Sequence, residues 1–315
     1  MLSYFCKYIF GFWGNKYKLE VIKIENFNEW EPQKEIVGSG KGKKVWLVNP
    51  KNPNQQGWFK YVKKTIREGK EVNSYENFSE KLAELIANNI EIKNAHIDIG
   101  IYQGELGCLS YDINEQMEEI VSLITKKYPK YNEKKLYDEQ NKIYYSINMI
   151  LNSLDNKNLE KDFFKILIFD YIIGNTDRHS NNWAIIRKEN NEMEIAPLYD
   201  NGSALCSYVY EEEIEKYFGK DKLLLNSLVR SKSRSMIKID EKDKKRPMHI
   251  EVIKYLHNKY NDETVGFVET ILKRLNEDKI VELINQLEGI SYNRKRLLKM
   301  FLDIKLKDLK CIYEK

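Results

Sequence analysis

The chain has 315 residues, 42% of them hydrophobic and 32% charged, a composition with room for one large core or two smaller ones and unlike that of a disordered chain. Its 52 basic and 48 acidic side chains leave a formal charge of +4, which argues against a dedicated nucleic-acid binder. Cys6, Cys108, Cys206 and Cys311 form no C-x-x-C pair, so neither a disulfide framework nor a zinc site is expected and a reducing cytoplasm is the default; no apolar run reaches the ~18 residues of a membrane span.

In chain order, the apolar stretch Met1–Gly14 is interrupted by Lys7 and lacks the basic start and cleavage site of a signal peptide, so a short element packed on the first lobe is expected. Gly38-Ser39-Gly40-Lys41-Gly42 reads as a flexible loop, followed by strands over Val45–Val48 and Trp58–Val62 joined by the turn-rich Asn49–Asn54. Ser79 is a candidate N-cap for a helix carrying Leu82, Ala83, Leu85, Ile86 and Ile90. Two more strands, Ile97–Tyr102 and Gly107–Tyr111, precede a change to helical periodicity.

From Ile113 onward Met117, Ile120, Val121 and Ile124 fall on one helical face, and Leu136–Leu154 reads as a further helix. The most apolar helix runs from about Leu159 to Ile173 and ends at Gly174. A short strand pair follows, then helices near Glu251, Val265, Lys279 and Arg294. The pattern predicts an α+β protein of two lobes, a β-rich one over residues 1–109 and a helical one over 110–315, with a ligand cleft between them.

Two loops carry the chemistry. The first is Gly174-Asn175-Thr176-Asp177-Arg178-His179-Ser180-Asn181-Asn182, directly after the apolar helix. The second is Pro197-Leu198-Tyr199-Asp200-Asn201-Gly202, whose aspartate lies 18 residues beyond Asn182 across a hairpin tip at Glu189–Glu192. Phosphoryl transfer needs a carboxylate to orient a hydroxyl and accept its proton, which suits Asp177. It also needs hard oxygen ligands for Mg2+, which suits Asn182 and Asp200. The five-residue step from Asp177 to Asn182 equals that of the H-R-D-x-x-x-x-N loop of protein kinases, but here His179 follows the aspartate and is counted with the catalytic set. Either loop alone would pass for an ordinary turn; the order and setting of both favour a kinase.

The first lobe should then hold ATP. Gly38, Gly40 and Gly42 would let backbone N–H groups approach phosphates, although no Walker A loop is present and the cluster alone equally suits a plain turn. Lys60 alternates with aromatic residues on its strand, as a cation aimed into a cleft would, or as an edge lysine. Glu80 could pair with it, or could simply favour the helix dipole. His96, His249 and His257 have no metal-ligand spacing and read as structural. The basic run Lys242–Arg246, with Lys232 and Arg234, reads as a solvated loop or as a docking patch.

These two loops, together with Ser79-Glu80-Lys81-Leu82-Ala83-Glu84-Leu85-Ile86-Ala87, resemble the HipA-type serine/threonine kinases, including their short stand-alone members, over roughly residues 36–205. The resemblance implies a bilobal kinase fold that binds Mg-ATP and phosphorylates protein serine or threonine. It makes Asp177 the base and Asn182 and Asp200 the magnesium ligands. Lys60 would contact the nucleotide phosphates, Glu80 would hold Lys60, and the linker Leu109-Ser110-Tyr111-Asp112 would face adenine, with Ser110 and Asp112 in the nucleotide site. It also implies autophosphorylation at Ser39, where added charge would oppose ATP, an antitoxin-like regulator, and a toxin or host-delivered effector role. Larger toxin-type members begin with an additional subdomain, whereas about 35 residues precede the glycine loop here. The D-R-H order also resembles phosphatidylinositol kinases, so a lipid or small-molecule kinase and a catalytically silent nucleotide-binding module stand as alternatives.

Overall fold

The computed structural model describes residues 22–314 apart from 34, 37–41, 68 and 191. Gly38, Ser39, Gly40 and the expected N-terminal element therefore lie outside the described residues, as does Cys6.

The first part of the chain is strand-rich. It comprises β1 (Glu25–Asn26), β2 (Glu31–Pro32), β3 (Lys44–Val48), β4 (Gln56–Tyr61), β5 (Lys64–Arg67) and β6 (Lys70–Asn73). Helix α1 (Glu76–Asn89) follows, then β7 (Ile97–Tyr102) and β8 (Glu105–Tyr111). Among the described residues six strands form one sheet in the order β1-β7-β8-β4-β3-β2, with β3, β4, β8 and β7 successively antiparallel. Alternation puts Leu47, Phe59, Tyr102 and Leu109 into a small aromatic core with Phe27. The opposite residues of β4, Trp58 and Lys60, face the cleft. At Gly57 and Gly107 the pairing of β4 with β8 leaves no room for a side chain: an added Cβ would stand 2.2 Å from the Ser110 carbonyl at one and 2.4 Å from that of Lys60 at the other.

Beyond the sheet come β9 (Met117–Glu119), α2 (Ile120–Lys127), β10 (Tyr131–Asn132), β11 (Tyr137–Asp138), β12 (Ile143–Tyr144), α3 (Ile147–Leu154) and α4 (Lys157–Ile173). The hairpin β13 (Ala184–Arg187) and β14 (Met193–Ile195) pairs with β9 through β13. After it lie α5 (Leu223–Asn226), α6 (His249–Lys259), α7 (Asn261–Arg274), α8 (Glu277–Gln286) and α9 (Tyr292–Tyr313). Helix α4 is buried along almost its whole length and centres the large core. Asn156 caps its start through Asn158 and Leu159 N–H, and Gly174 ends it at φ +68°. A side chain there would meet the Phe301 ring at 2.7 Å.

Three expectations need correction. The helix expected over Leu136–Leu154 starts only at Ile147. Before it, the Asp138 carboxylate accepts from the backbone and side chain of Asn141, and Leu136 and Lys142 take positive φ, which makes two short strands around a turn. Met117 belongs to a strand rather than the following helix, because Met117–Glu119 pairs with Ala184–Ile186. Helix α1 starts at Glu76, so Ser79 is not its N-cap; its hydroxyl serves the site described next.

Candidate active site

A cleft of about 780 Å³ lies between the sheet and the helical part. Its upper wall is Lys44, Trp46, Trp58 and Lys60, its back is Ser110–Asp112, and its floor includes His179, Asn181, Asn182 and Asp200. The indoles of Trp46 and Trp58 meet edge-to-face at 5.2 Å. Gly42 is exposed just before β3 and is not in the cleft wall.

Lys60 is the crossing point. Its Nζ donates to Glu80 Oε1 at 2.7 Å and to Asp200 Oδ1 at 2.8 Å, joining residues 140 positions apart. Burial alone would lower its pKa, but the Glu80 and Asp200 carboxylates outweigh it and hold the ammonium well above the usual lysine value. The same ammonium, acting against burial, holds the Asp200 carboxyl below its ordinary value.

Glu80 is buried on α1, and its second oxygen accepts from the Asn201 backbone N–H at 2.8 Å. One turn face of α1 thus grips the Asp-Asn-Gly loop, because Ser79 Oγ also donates to the carbonyls of Asn201 (3.1 Å) and Ala204 (2.9 Å). Asp200 itself sits at φ +58°, a left-handed conformation that costs a non-glycine residue of order 1–3 kcal/mol and persists only where surrounding contacts impose it.

Arg178 supplies the other constraint, and sequence reasoning assigned it no role. Its side chain is 1% exposed. It pairs with Asp170 of α4 (2.8 Å), then donates to the Asn182 carbonyl (2.8 Å), the Tyr199 carbonyl (3.0 Å) and Asn201 Oδ1 (2.6 Å). The two loops found in the sequence are therefore bolted together through one guanidinium. Asn175 adds a bond from Nδ2 to Asp170 and accepts from the Asp177 N–H at 3.0 Å. The Asp177 N–H is thereby fixed and its carboxylate left available.

Asp177 is not itself among the residues lining the cleft, but it precedes the lining His179 by two residues and feels the charge of the lining Asp200. Burial raises its pKa, opposed by the nearby charge of His179, while Asp200 adds to the rise and Arg246 opposes it. Asn182 Nδ2 donates to the Asp177 carbonyl at 2.6 Å, which leaves its Oδ1 as an unused hard oxygen. His179 lines the cleft, and its Nδ1 accepts from the Asn181 N–H at 3.2 Å. Ser110 and Asp112 also line it. However, the linker's Tyr111 and Asp112 N–H groups are engaged by the His96 and Gln56 carbonyls.

His96 is bound at Nδ1 by Glu84 (2.7 Å), with Asp98 near Nε2 (3.4 Å); both carboxylates, Asp98 first, push its pKa up to about 9. His249 is buried against Ser233, and His257 bonds Asn261. Cys108, Cys206 and Cys311 are free thiols. Among the described residues no group of three or more His, Cys, Asp and Glu side chains could hold a metal ion, and no helix is long and apolar enough to cross a membrane.

The model of the HipA-like C-terminal domain matches residues 36–286. The chain belongs to this family. This HipA-like chain is 27% identical over 240 residues to the "Serine/threonine-protein kinase CtkA" of Helicobacter pylori, covering 73% of itself and 70% of that protein. The crystal structure of the H. pylori proinflammatory kinase CtkA matches with a TM-score of 0.75 at 21% identity, over 93% of this chain and 98% of that one. HipA in a complex with HipB and operator DNA from Shewanella oneidensis MR-1 matches with a TM-score of 0.52 at 12% identity, over 91% and 70%. The fold is thus the bilobal α+β fold of a kinase, with a small β-rich lobe and a larger helical one.

Proposed function

We propose that this HipA-like chain transfers the γ-phosphoryl group of ATP to a serine or threonine hydroxyl of a protein. The observation that carries this reading is Lys60 bridging Glu80 and Asp200 at the cleft, with Asp177 and the free amide oxygen of Asn182 beside it. In this reading residues 1–109 hold the nucleotide and residues 110–315 hold the acceptor and the base.

The donor set suits Mg2+ bound with phosphate. Magnesium characteristically takes one or two carboxylates and keeps waters and phosphate oxygens as its other ligands, so no acidic cluster is required. Asp200, with 48% of its side chain exposed toward the cleft, and Asn182 Oδ1 would hold it. When bound, Mg2+ neutralises charge on the phosphates being separated.

The chain's own residues do the rest. Lys60, fixed by Glu80, offers a permanent cation to the phosphates. Trp46 and Trp58 offer flat apolar faces to a base. Asp177, its pKa raised chiefly by burial, can orient the acceptor hydroxyl and take its proton. Arg178 keeps Asp177, Asn182 and Asp200 in register without touching substrate.

Incubation of the purified protein with labelled ATP and Mg2+, alone and with cell lysate, tests the proposal and reports autophosphorylation at the same time. Asp177→Asn is expected to lower transfer at least 100-fold while ATP binding by calorimetry persists. Undiminished transfer in that variant would remove Asp177 from the role of base.

A further inference from the structure

The basic segment 231–248 has no part in the phosphate end of the cleft, yet it is tied to the catalytic loop. Arg246 donates to the carbonyl of Thr176, the residue before Asp177, and also to the carbonyls of Ser235 (3.1 Å) and Arg234 (2.8 Å). Arg234 returns a bond to the Arg246 carbonyl at 2.7 Å. Lys238 is buried, donates to the Lys244 carbonyl and lies 4.7 Å over the Tyr144 ring. Three cations of the segment are thus engaged in fixing its own course. Met236 of the same segment lines the cleft together with His179.

The remaining cations, Lys232, Lys242, Lys244 and Lys245, are exposed, and among the described residues none of them forms an ion pair. Of the three carboxylates in the segment, Asp240 accepts from the Lys242 backbone N–H at 2.8 Å. Across 231–248 seven basic residues stand against three acidic ones, a surplus of four that equals the +4 of the entire chain. The net positive charge of the molecule is therefore matched by one ordered loop beside Asp177. Lys242 lies at most four residues from Arg246, a backbone reach of no more than about 14 Å. No large hydrophobic residue is exposed in this segment, which removes the apolar anchor expected of a membrane-docking surface.

We propose that this loop docks acidic residues flanking the acceptor serine or threonine of a protein substrate. The proposal rests on the kinase reading above and adds the substrate class. Charge complementarity at an exposed rim acts mainly on capture of substrate and fades with salt.

The test uses the full chain, Mg-ATP and peptides with a central serine flanked on each side by three Glu, three Gln or three Lys residues, with phosphatidylinositol vesicles as a further acceptor. Each exposed pair contributes roughly two- to threefold, so the Glu peptide should exceed the Gln peptide in kcat/KM by about tenfold at low salt, chiefly through KM. The variant Lys242→Gln/Lys244→Gln/Lys245→Gln should lose this preference and keep its kcat/KM for the Gln peptide. Half-molar salt should erase the preference in the unmodified chain. Equal use of Glu and Gln peptides, or a preference that survives the triple substitution, overturns the docking proposal and leaves the kinase reading standing. Labelled vesicles with unlabelled peptides, or no labelled acceptor at all, overturns both.

Discussion

Lys305 offers a quantitative check on how this core is built. Its side chain lies on α9 with 1% of the residue exposed; Nζ donates to Ser233 Oγ at 2.9 Å and rests 4.4 Å from the Tyr171 ring. Among the described residues it has no ion pair. Burial lowers its pKa to about 7, opposed by Cys206 and Asp308 and assisted by Arg230. In the unfolded chain the same amine titrates near 10.5, so between pH 7 and 10.5 the unfolded state binds a proton that the folded state does not. Stability contributed by this site therefore rises with pH across that window and is flat below it. The gap from 10.5 to 7, at about 1.36 kcal/mol per pH unit, corresponds to about 5 kcal/mol. Lys305→Met keeps the length and removes the charge. Urea unfolding from pH 6 to 10 should find the variant more stable than the parent by a few kcal/mol at pH 6.5, with the difference shrinking steadily toward pH 10. His96 works in the opposite sense: with its pKa raised to about 9, its stabilisation is complete below pH 6.5 and is lost as pH rises through 9. That contribution is common to both proteins and cancels in the difference. Parallel stability curves for the two proteins would refute the reasoning.

Glu80→Gln removes one charge that holds Lys60 and weakens the bond to the Asn201 N–H; KM for ATP should rise about tenfold, with kcat also reduced, which steady-state kinetics would show. Gly174→Ala forces a side chain into φ +68° and against Phe301, so thermal unfolding should report a loss of about 1–3 kcal/mol. Burial raises the Cys108 thiol far above its ordinary range, whereas Cys311 is exposed. Mass spectrometry after brief iodoacetamide treatment at pH 8 should therefore find Cys311 modified and Cys108 intact.

Much of the helical part was legible because its signals are local. The apolar run of α4 ends at a glycine, and the last four helices carry their own periodicity. The segment before α3 was not, because polar residues and a side-chain turn at Asp138 decide its course rather than hydrophobic spacing. At the site, the two loops were readable as motifs, but what joins them was not. Arg178 contacts residues up to 23 positions away, and no short spacing encodes such a hub. One clue was present: Asp170 is the one charged residue of the buried stretch Ile166–Ile173, and a carboxylate on a buried face demands a buried cation. Ser79 was misread for a related reason. A serine near a helix start fits a cap by pattern, whereas here the chain enters the helix three residues earlier and the hydroxyl binds carbonyls more than 120 residues away.

Helix α1 lies among the strands in sequence and is bonded to β7, yet its apolar face belongs to the large core. Its apolar residues Leu82, Ala83, Ile86 and Ala87 join the large core and not the small aromatic one. Near its start, Ser79 and Glu80 make two hydrogen bonds to Asn201 and one to Ala204 just beyond the Asp-Asn-Gly loop, while bonds from Lys60 to Glu80, from Lys81 to the Ile97 carbonyl and from the Ile97 N–H to Glu84 tie the helix to the sheet. Asp200 makes its own bond to Lys60. The helix is thus clamped on both sides, to the sheet and to the loop that holds Asp200, and Asn201 Nδ2 adds a bond to Asn94 just before β7. That arrangement explains how a left-handed aspartate can stay fixed at the mouth of an open cleft: its strain is opposed by α1 and Arg178 on one side and by its own bond to Lys60 on the other.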